Sequence, residues 1–151
     1  MDITLRKATI KDAKALTELE LSAFDPAIYH RISGRQFRYL LTKANAETWV
    51  ALCGKEICGY GTLLFRKNWD KAHFYSLAVS PAFQGKEIGK KLFEEVEAQA
   101  RKKYPAMSLE IREDNKKLLE RYLKSGYSEE RLVPDYYPDR CACIKMKKIF
   151  L

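Results

Sequence analysis

The sequence predicts a single mixed α/β domain, and three observations carry that reading. Short segments alternating apolar and polar residues interleave with segments whose apolar residues recur every three or four positions. The chain has 151 residues, 46 % of them hydrophobic, about the length and apolar fraction of one ordinary domain (~150 residues, ~45–50 % apolar). No repeat, linker or low-complexity stretch breaks the pattern, and seven Gly and five Pro are too few for a disordered chain.

The elements follow in order. Residues 3–8 alternate and open the chain as a strand. Thr9 and Asp12 resemble a capping box, and Leu16, Leu19, Ala23 and Phe24 give the first helix its stripe, which Pro26 ends. Residues 25–33 have no period and read as a loop; Phe37, Leu40 and Leu41 place a short second helix over 34–43. Residues 49–53, the turn Gly54-Lys55-Glu56 and residues 57–65 read as a hairpin. A polar turn precedes a strand over 72–79, closed by Ser80-Pro81. Leu92, Phe93, Val96 and Ala100 mark a helix over 89–103, and residues 107–111 a strand. A helix over 114–124 stops at Gly126, where a C-terminal cap takes glycine. Strands over 127–133 and 141–146 finish the chain, joined by a loop around Tyr136-Tyr137-Pro138-Asp139. The order is β-α-α-β-β-β-α-β-α-β-β.

Composition narrows the classes of function. The net charge is +8, which suits an anionic partner such as a phosphorylated cofactor, a nucleic acid or a headgroup, and equally a lysine-rich solvated surface. No apolar run approaches the ~18 residues that span a bilayer. Met1 is followed by Asp2 without a basic or apolar leader region, so no signal peptide and a cytoplasmic location are expected. Cys53, Cys58, Cys141 and Cys143 contain no Cys-x-x-Cys pair. Free, mostly buried thiols are expected, with no metal site.

The most informative segment runs from Leu77-Ala78-Val79 through Ser80-Pro81-Ala82-Phe83 into Gln84-Gly85-Lys86-Glu87-Ile88-Gly89-Lys90-Lys91-Leu92. A buried strand, a glycine-containing turn and a basic helix start form a cradle for a pyrophosphate. Neither a Walker A loop nor a Rossmann fingerprint is present. The segment resembles motif A of the GNAT acyl-CoA N-acetyltransferase superfamily, with Gln84 and Gly89 at its ends. Glu87 stands where the motif has its middle glycine and puts a carboxylate near the expected pyrophosphate. Element order and the Arg6-Lys7-Ala8-Thr9 opening with Asp12 extend the resemblance over essentially the whole chain. It implies one GNAT domain over residues 1–151, a mixed, mostly antiparallel central sheet flanked by helices, and acetyl-CoA as cosubstrate. The pantetheine arm would pair with the backbone of Leu77, Ala78 and Val79. The pyrophosphate would sit on the amides of Gly85, Lys86, Glu87, Ile88, Gly89 and Lys90.

Leu109-Glu110-Ile111-Arg112-Glu113-Asp114-Asn115, Arg121-Tyr122-Leu123-Lys124-Ser125-Gly126-Tyr127 and Tyr136-Tyr137 resemble the RimI-like protein N-terminal acetyltransferases. That resemblance implies Glu110 as proton acceptor, Tyr122 as proton donor, Asn115 as a CoA contact, and Tyr29, Tyr136 and Tyr137 on the acceptor side. The phrases around Tyr29-His30 and Tyr75-Ser76 also look like GNAT domains joined to C39-type peptidase domains. His73 alternates with Tyr75 and Leu77 and is a candidate second base. A base on the strand is expected to have a raised pKa. Glu110 is also spaced to pair with Arg112 on one face. The implied activity is acetyl transfer by direct attack of a primary amine: a protein N-terminus, such as that of a ribosomal protein, or a small amine. A CoA-binding module without turnover is the other reading. No membrane or direct nucleic-acid partner is expected, and the chain would be a monomer or homodimer.

Overall fold

The computed structural model describes residues 2–151; Met1, the first residue of the leader reading, lies outside them. Seven strands and four helices form, in order, β1 (Ile3–Lys7), α1 (Ala13–Ala23), α2 (Gly34–Thr42), β2 (Ala46–Cys53), β3 (Glu56–Leu64), β4 (Ala72–Val79), α3 (Ile88–Lys103), β5 (Ala106–Arg112), α4 (Lys116–Lys124), β6 (Ser128–Val133) and β7 (Cys143–Ile149). Short 3₁₀ turns cover Ile10–Asp12 and Pro81–Phe83. This is the predicted order. Boundaries moved by a few residues, most at β7, which begins at Cys143 rather than 141 and runs on to Ile149. Among the described residues, no helix is long and apolar enough to cross a membrane.

One sheet takes all seven strands in the order β1-β2-β3-β4-β5-β7-β6. Every neighbouring pair is antiparallel except β4–β5. Parallel strands need a crossover, and α3 supplies it. α1 and α2 cover one face, where Leu16, Leu19, Phe37, Val50, Tyr60 and Ala78 share a core. α3 and α4 cover the other, where Val96, Ala100, Leu109, Ile111 and Tyr122 pack together. β3 lies deepest, and α3 sits hard against it. A Cβ on Gly59 would come within 2.9 Å of Leu92 Cδ1 and 3.1 Å of the Ala78 carbonyl. Only glycine allows that approach.

Local signals fixed the helix ends. The Asp12 carboxylate accepts the Thr9 amide at 2.8 Å, and Ser33 with Gln36 closes a capping box on α2. Gly126 has φ +100°. Its amide bonds the Leu123 carbonyl, and that of Tyr127 bonds the Tyr122 carbonyl at 3.0 Å, the Schellman arrangement. Cys58 and Cys143 are buried, and Cys53 and Cys141 are half-buried.

The pairing of β4 with β5 positions the site. Only Ala72–Met107 and His73–Ser108 are in register. Beyond them the strands diverge, and the sheet splits into a V.

Candidate active site

A cavity of about 960 Å³ runs through the V and is lined from both faces of the sheet. Its two halves differ in chemistry.

On the α3–α4 face the wall is Leu77, Gly89, Phe93, Asn115, Leu118 and Tyr122. The Ser80 amide bonds the Cys58 carbonyl at 2.8 Å, and Ala78 lies opposite Tyr60 in the same register. Antiparallel alternation therefore turns the polar backbone of Ala78 towards β3 and that of Leu77 and Val79 towards the cleft. Of the three predicted pantetheine-pairing residues, two face the cavity through their backbone and Ala78 does not. The turn that follows places Gly85 at φ +81° and Glu87 at φ +61°. Glu87 is the N-cap of α3, and the first backbone bond into the helix runs from Lys91 to the Glu87 carbonyl. The amides of Ile88, Gly89 and Lys90 thus lie in the first turn, which has no intrahelical acceptors for them. Lys90 and Glu87 line the cavity there. Gln84 Nε2 donates to the Val79 carbonyl at 3.3 Å, and Lys86 lies over the Phe83 ring. A Cβ on Gly89 would meet Val79 and Leu77 only at 3.6–3.7 Å, so alanine fits there as well. Asn115 caps α4 by accepting the Leu118 amide at 3.2 Å.

Tyr122 stands on the last turn of α4, held by the Gly126 cap. Its ring packs on Phe93 at 5.1 Å and Tyr127 at 5.6 Å. Burial pushes its hydroxyl up to about 12, so it keeps its proton at neutral pH.

On the α1–α2 face the floor is Glu110. One oxygen lies 3.1 Å from His73 Nε2, and the other 3.3 Å from Lys145 Nζ. The Tyr136 hydroxyl also hydrogen-bonds this carboxylate. His73 Nδ1 is 2.8 Å from Ser108 Oγ, so both ring nitrogens are engaged. These contacts overturn three expectations. Glu110 has no raised pKa: the hydrogen bond with His73, joined by Tyr136 and Lys145, outweighs burial and holds it at about 2. Glu110 does not pair with Arg112. And His73 does not share a face with Leu77. The strand register shifts between Thr62 and Leu63, leaving Tyr75 without a partner on β3. This bulge resets the alternation, so His73 meets Glu110 while Leu77 packs towards α3.

Arg112 has another role that sequence reasoning missed. Its guanidinium is buried and bonds Asp139 at 2.7 and 3.1 Å, Asp114 at 3.0 and 3.1 Å and the Ile28 carbonyl at 2.7 Å. It also lies over the rings of Tyr29 and Tyr137. One side chain therefore ties the α1–α2 loop to the β6–β7 loop across the mouth of the cavity. Tyr29 touches Phe24 and Tyr137, and Tyr137 touches Tyr136, at ring distances of 5.0–5.8 Å. The three predicted acceptor-side tyrosines form one wall. Cys143 Sγ lies 3.8 Å from Glu110, and burial raises its thiol to about 11, so it is no thiolate nucleophile at neutral pH.

Known proteins share this architecture. The chain matches the acetyltransferase (GNAT) domain family over residues 12–150. It is 32 % identical over 149 residues to an uncharacterised N-acetyltransferase of Methanocaldococcus jannaschii, covering 95 % of this chain and 90 % of that one. Among solved structures, the ribosomal-protein-S18-alanine N-acetyltransferase of Escherichia coli superposes with a TM-score of 0.88 at 19 % identity, over 99 % of this chain and 96 % of the other. The PaiA N-acetyltransferase of Thermoplasma acidophilum, solved with coenzyme A, gives 0.78 at 21 % identity, over 99 % and 100 %. At those identities the two structures share the fold.

Proposed function

The chain belongs to the GNAT acetyltransferase family and is an acetyl-CoA-dependent acyltransferase, and on that premise we propose that the amine it acetylates is the α-amino group of a protein N-terminus. The observation that carries this reading is the α1–α2 half of the cavity. An anionic floor at Glu110 lies beneath a wall of Tyr29, Tyr136 and Tyr137, under two loops tied by Arg112. An ammonium group is drawn to the carboxylate, and tyrosines offer flat area and hydroxyls to an extended backbone.

Acetyl-CoA enters from the α3–α4 face. The cleft-facing backbone of Leu77 and Val79 pairs with the pantetheine arm as an added strand would. The first-turn amides of α3, with Lys86 and Lys90 beside them, receive the pyrophosphate; Gln84, Gly85 and Gly89 shape the turn, and Asn115 borders the arm. The backbone near Val79 polarises the thioester carbonyl. The amine attacks directly. Glu110 stays anionic at neutral pH and fixes the ammonium end of the acceptor, His73 holds Glu110 in place, and Tyr122 donates a proton to the leaving thiolate. The test is kcat/KM for a panel of peptides with free N-termini against polyamines, amino acids and aminoglycosides. The peptides are expected to win by tenfold or more. A small amine turned over faster than every peptide overturns the reading.

A further inference from the structure

α1 carries a carboxylate within its apolar stripe. Glu20 is 1 % exposed, on the same side of the helix as Leu16 and Leu19. Its Oε2 accepts the Ile32 amide at 2.7 Å, which ties down the end of the α1–α2 loop. Its Oε1 accepts the Tyr60 hydroxyl at 2.6 Å. Tyr60 is fully buried on β3, and its Oη lies 2.8 Å from Ser76 Oγ. Ser76 lines the cavity on β4, beside the cleft-facing backbone of Leu77.

The direction of this chain follows from what each group can do. An ionised carboxylate only accepts hydrogen bonds. Tyr60 therefore spends its single O–H on Glu20, and Ser76 must donate to Tyr60. That leaves the Ser76 oxygen free to accept a hydrogen bond from the cavity.

We propose that Ser76, Tyr60 and Glu20 form a relay that takes the proton from the bound acceptor ammonium out of the cleft and into α1. The proposal rests on the reading that an amine is acetylated in this cavity, whatever its size. An N–H bond of the ammonium breaks, and its electron pair stays on nitrogen. The proton passes to Ser76 Oγ, the Ser76 proton to Tyr60 Oη, and the Tyr60 proton to Glu20 Oε1. The nitrogen pair then forms the C–N bond and the C–S bond breaks. The thiolate receives a proton through Tyr122, which is restored by the second amine proton. Glu20 returns its proton to solvent through the reversed chain after product leaves.

The relay gives the two carboxylates of the acceptor half separate tasks. Glu110 is held low, first by its hydrogen bond with His73 and then by Tyr136 and Lys145, and stays charged. Glu20 is pushed up, chiefly by burial, against the pull of the Tyr60 and Ile32 hydrogen bonds and the charge of Arg31. A carboxylate with a higher pKa is the better proton sink. The groups facing Glu20 are Tyr60 from β3, Tyr75 from β4 and Arg31 from the loop.

The test compares wild type with Tyr60→Phe, Glu20→Gln and Ser76→Ala, using the best acceptor found for wild type. It measures kcat/KM from about pH 5 to 9 and the Kd for acetyl-CoA. The relay predicts losses of about 10²-fold for Tyr60→Phe and Glu20→Gln, the lower end for a general base, with Kd unchanged. It also predicts that the acidic limb of the pH profile disappears in Glu20→Gln. A purely structural Glu20 would change KM and thermal stability and leave that limb in place, which overturns the proposal. Ser76→Ala removes only a hydroxyl from the cavity wall, so it stands in if a buried variant fails to fold. Activity within about threefold of wild type for Ser76→Ala at every pH also overturns the relay. If wild type prefers a small amine, the N-terminal reading fails, and the same ratios on that amine decide the relay.

Discussion

Replacing Glu87 removes a charge and a backbone strain at one position, and two substitutions separate them. Glu87 sits at φ +61°, ψ +18°, a left-handed conformation that costs an L-residue roughly 1–2 kcal/mol. Glu87→Gly relieves that cost. It also gives up about 0.5–1 kcal/mol to the greater freedom of glycine in the unfolded chain. It loses a further ~0.3–1 kcal/mol of carboxylate–dipole attraction at the start of α3. These terms nearly cancel, so Tm should stay within about 3 °C of wild type, given ~2–4 °C per kcal/mol at this size. Affinity behaves differently. A carboxylate about 6 Å from a phosphate charge in bulk-water dielectric costs ~0.7 kcal/mol, and two such charges cost ~1.4 kcal/mol. That is about tenfold in Kd. With a Debye length of ~8 Å at 0.15 M salt, about half survives, or roughly threefold. Calorimetric titration with acetyl-CoA at about 20 mM and 0.15 M salt reads both values. Glu87→Gln keeps the strained backbone and loses the charge, so it should match Glu87→Gly in affinity and have the lower Tm. Unchanged Kd for Glu87→Gln at low salt would refute the electrostatic account and place the side chain away from the pyrophosphate.

Three further outcomes follow from the geometry. Glu110 has a depressed pKa of about 2, so its contribution to stability is full above the ordinary carboxylate pKa of ~4.3 and is lost as pH falls through 2. Between about pH 5 and 2, wild type should therefore lose more thermal stability than Glu110→Gln, and parallel Tm curves would contradict this. Tyr122→Phe should lower kcat by about 10²–10⁴-fold with the acetyl-CoA Kd nearly unchanged; a fall below threefold removes Tyr122 as the donor. Asp139→Asn weakens the link between Arg112 and the β6–β7 loop, so the acceptor KM should rise severalfold while kcat and acetyl-CoA affinity hold; an effect on acetyl-CoA alone would show that the loops do not shape the acceptor side.

Much of the fold was legible because its signals are local. The turn from Gln84 to Gly89, the stop at Gly126 and the Thr9–Asp12 box each act over a few residues, and each stands where the sequence put it. The sheet order was not legible in the same way. That β7 inserts between β5 and β6, and that β4 and β5 part after two pairs, depends on register between distant segments. The site divides along the same line. Glu110, Tyr122, Asn115 and the tyrosines of the last loop were found through their motifs, and they do line one cavity. The electrostatics of Glu110 were misjudged because His73, Tyr136 and Lys145 reach it from three other elements. The role of Arg112 is hidden for the same reason, since two of its three hydrogen-bond partners lie 84 and 27 residues away. The bulge at Tyr75 leaves no mark in the sequence. Glu20 does leave one: a carboxylate four residues after Leu16, within the stripe of a helix that faces the core.

An α-amino group is the proposed acceptor, and one peptide tests it. The substrate carries a free N-terminus and an internal lysine, and it is incubated with the enzyme and acetyl-CoA beside the same peptide with its N-terminus blocked. Tandem mass spectrometry then locates the acetyl group. The account predicts acetylation at the α-nitrogen of the free peptide and none on the blocked one. Acetyl on the lysine of both peptides would contradict it.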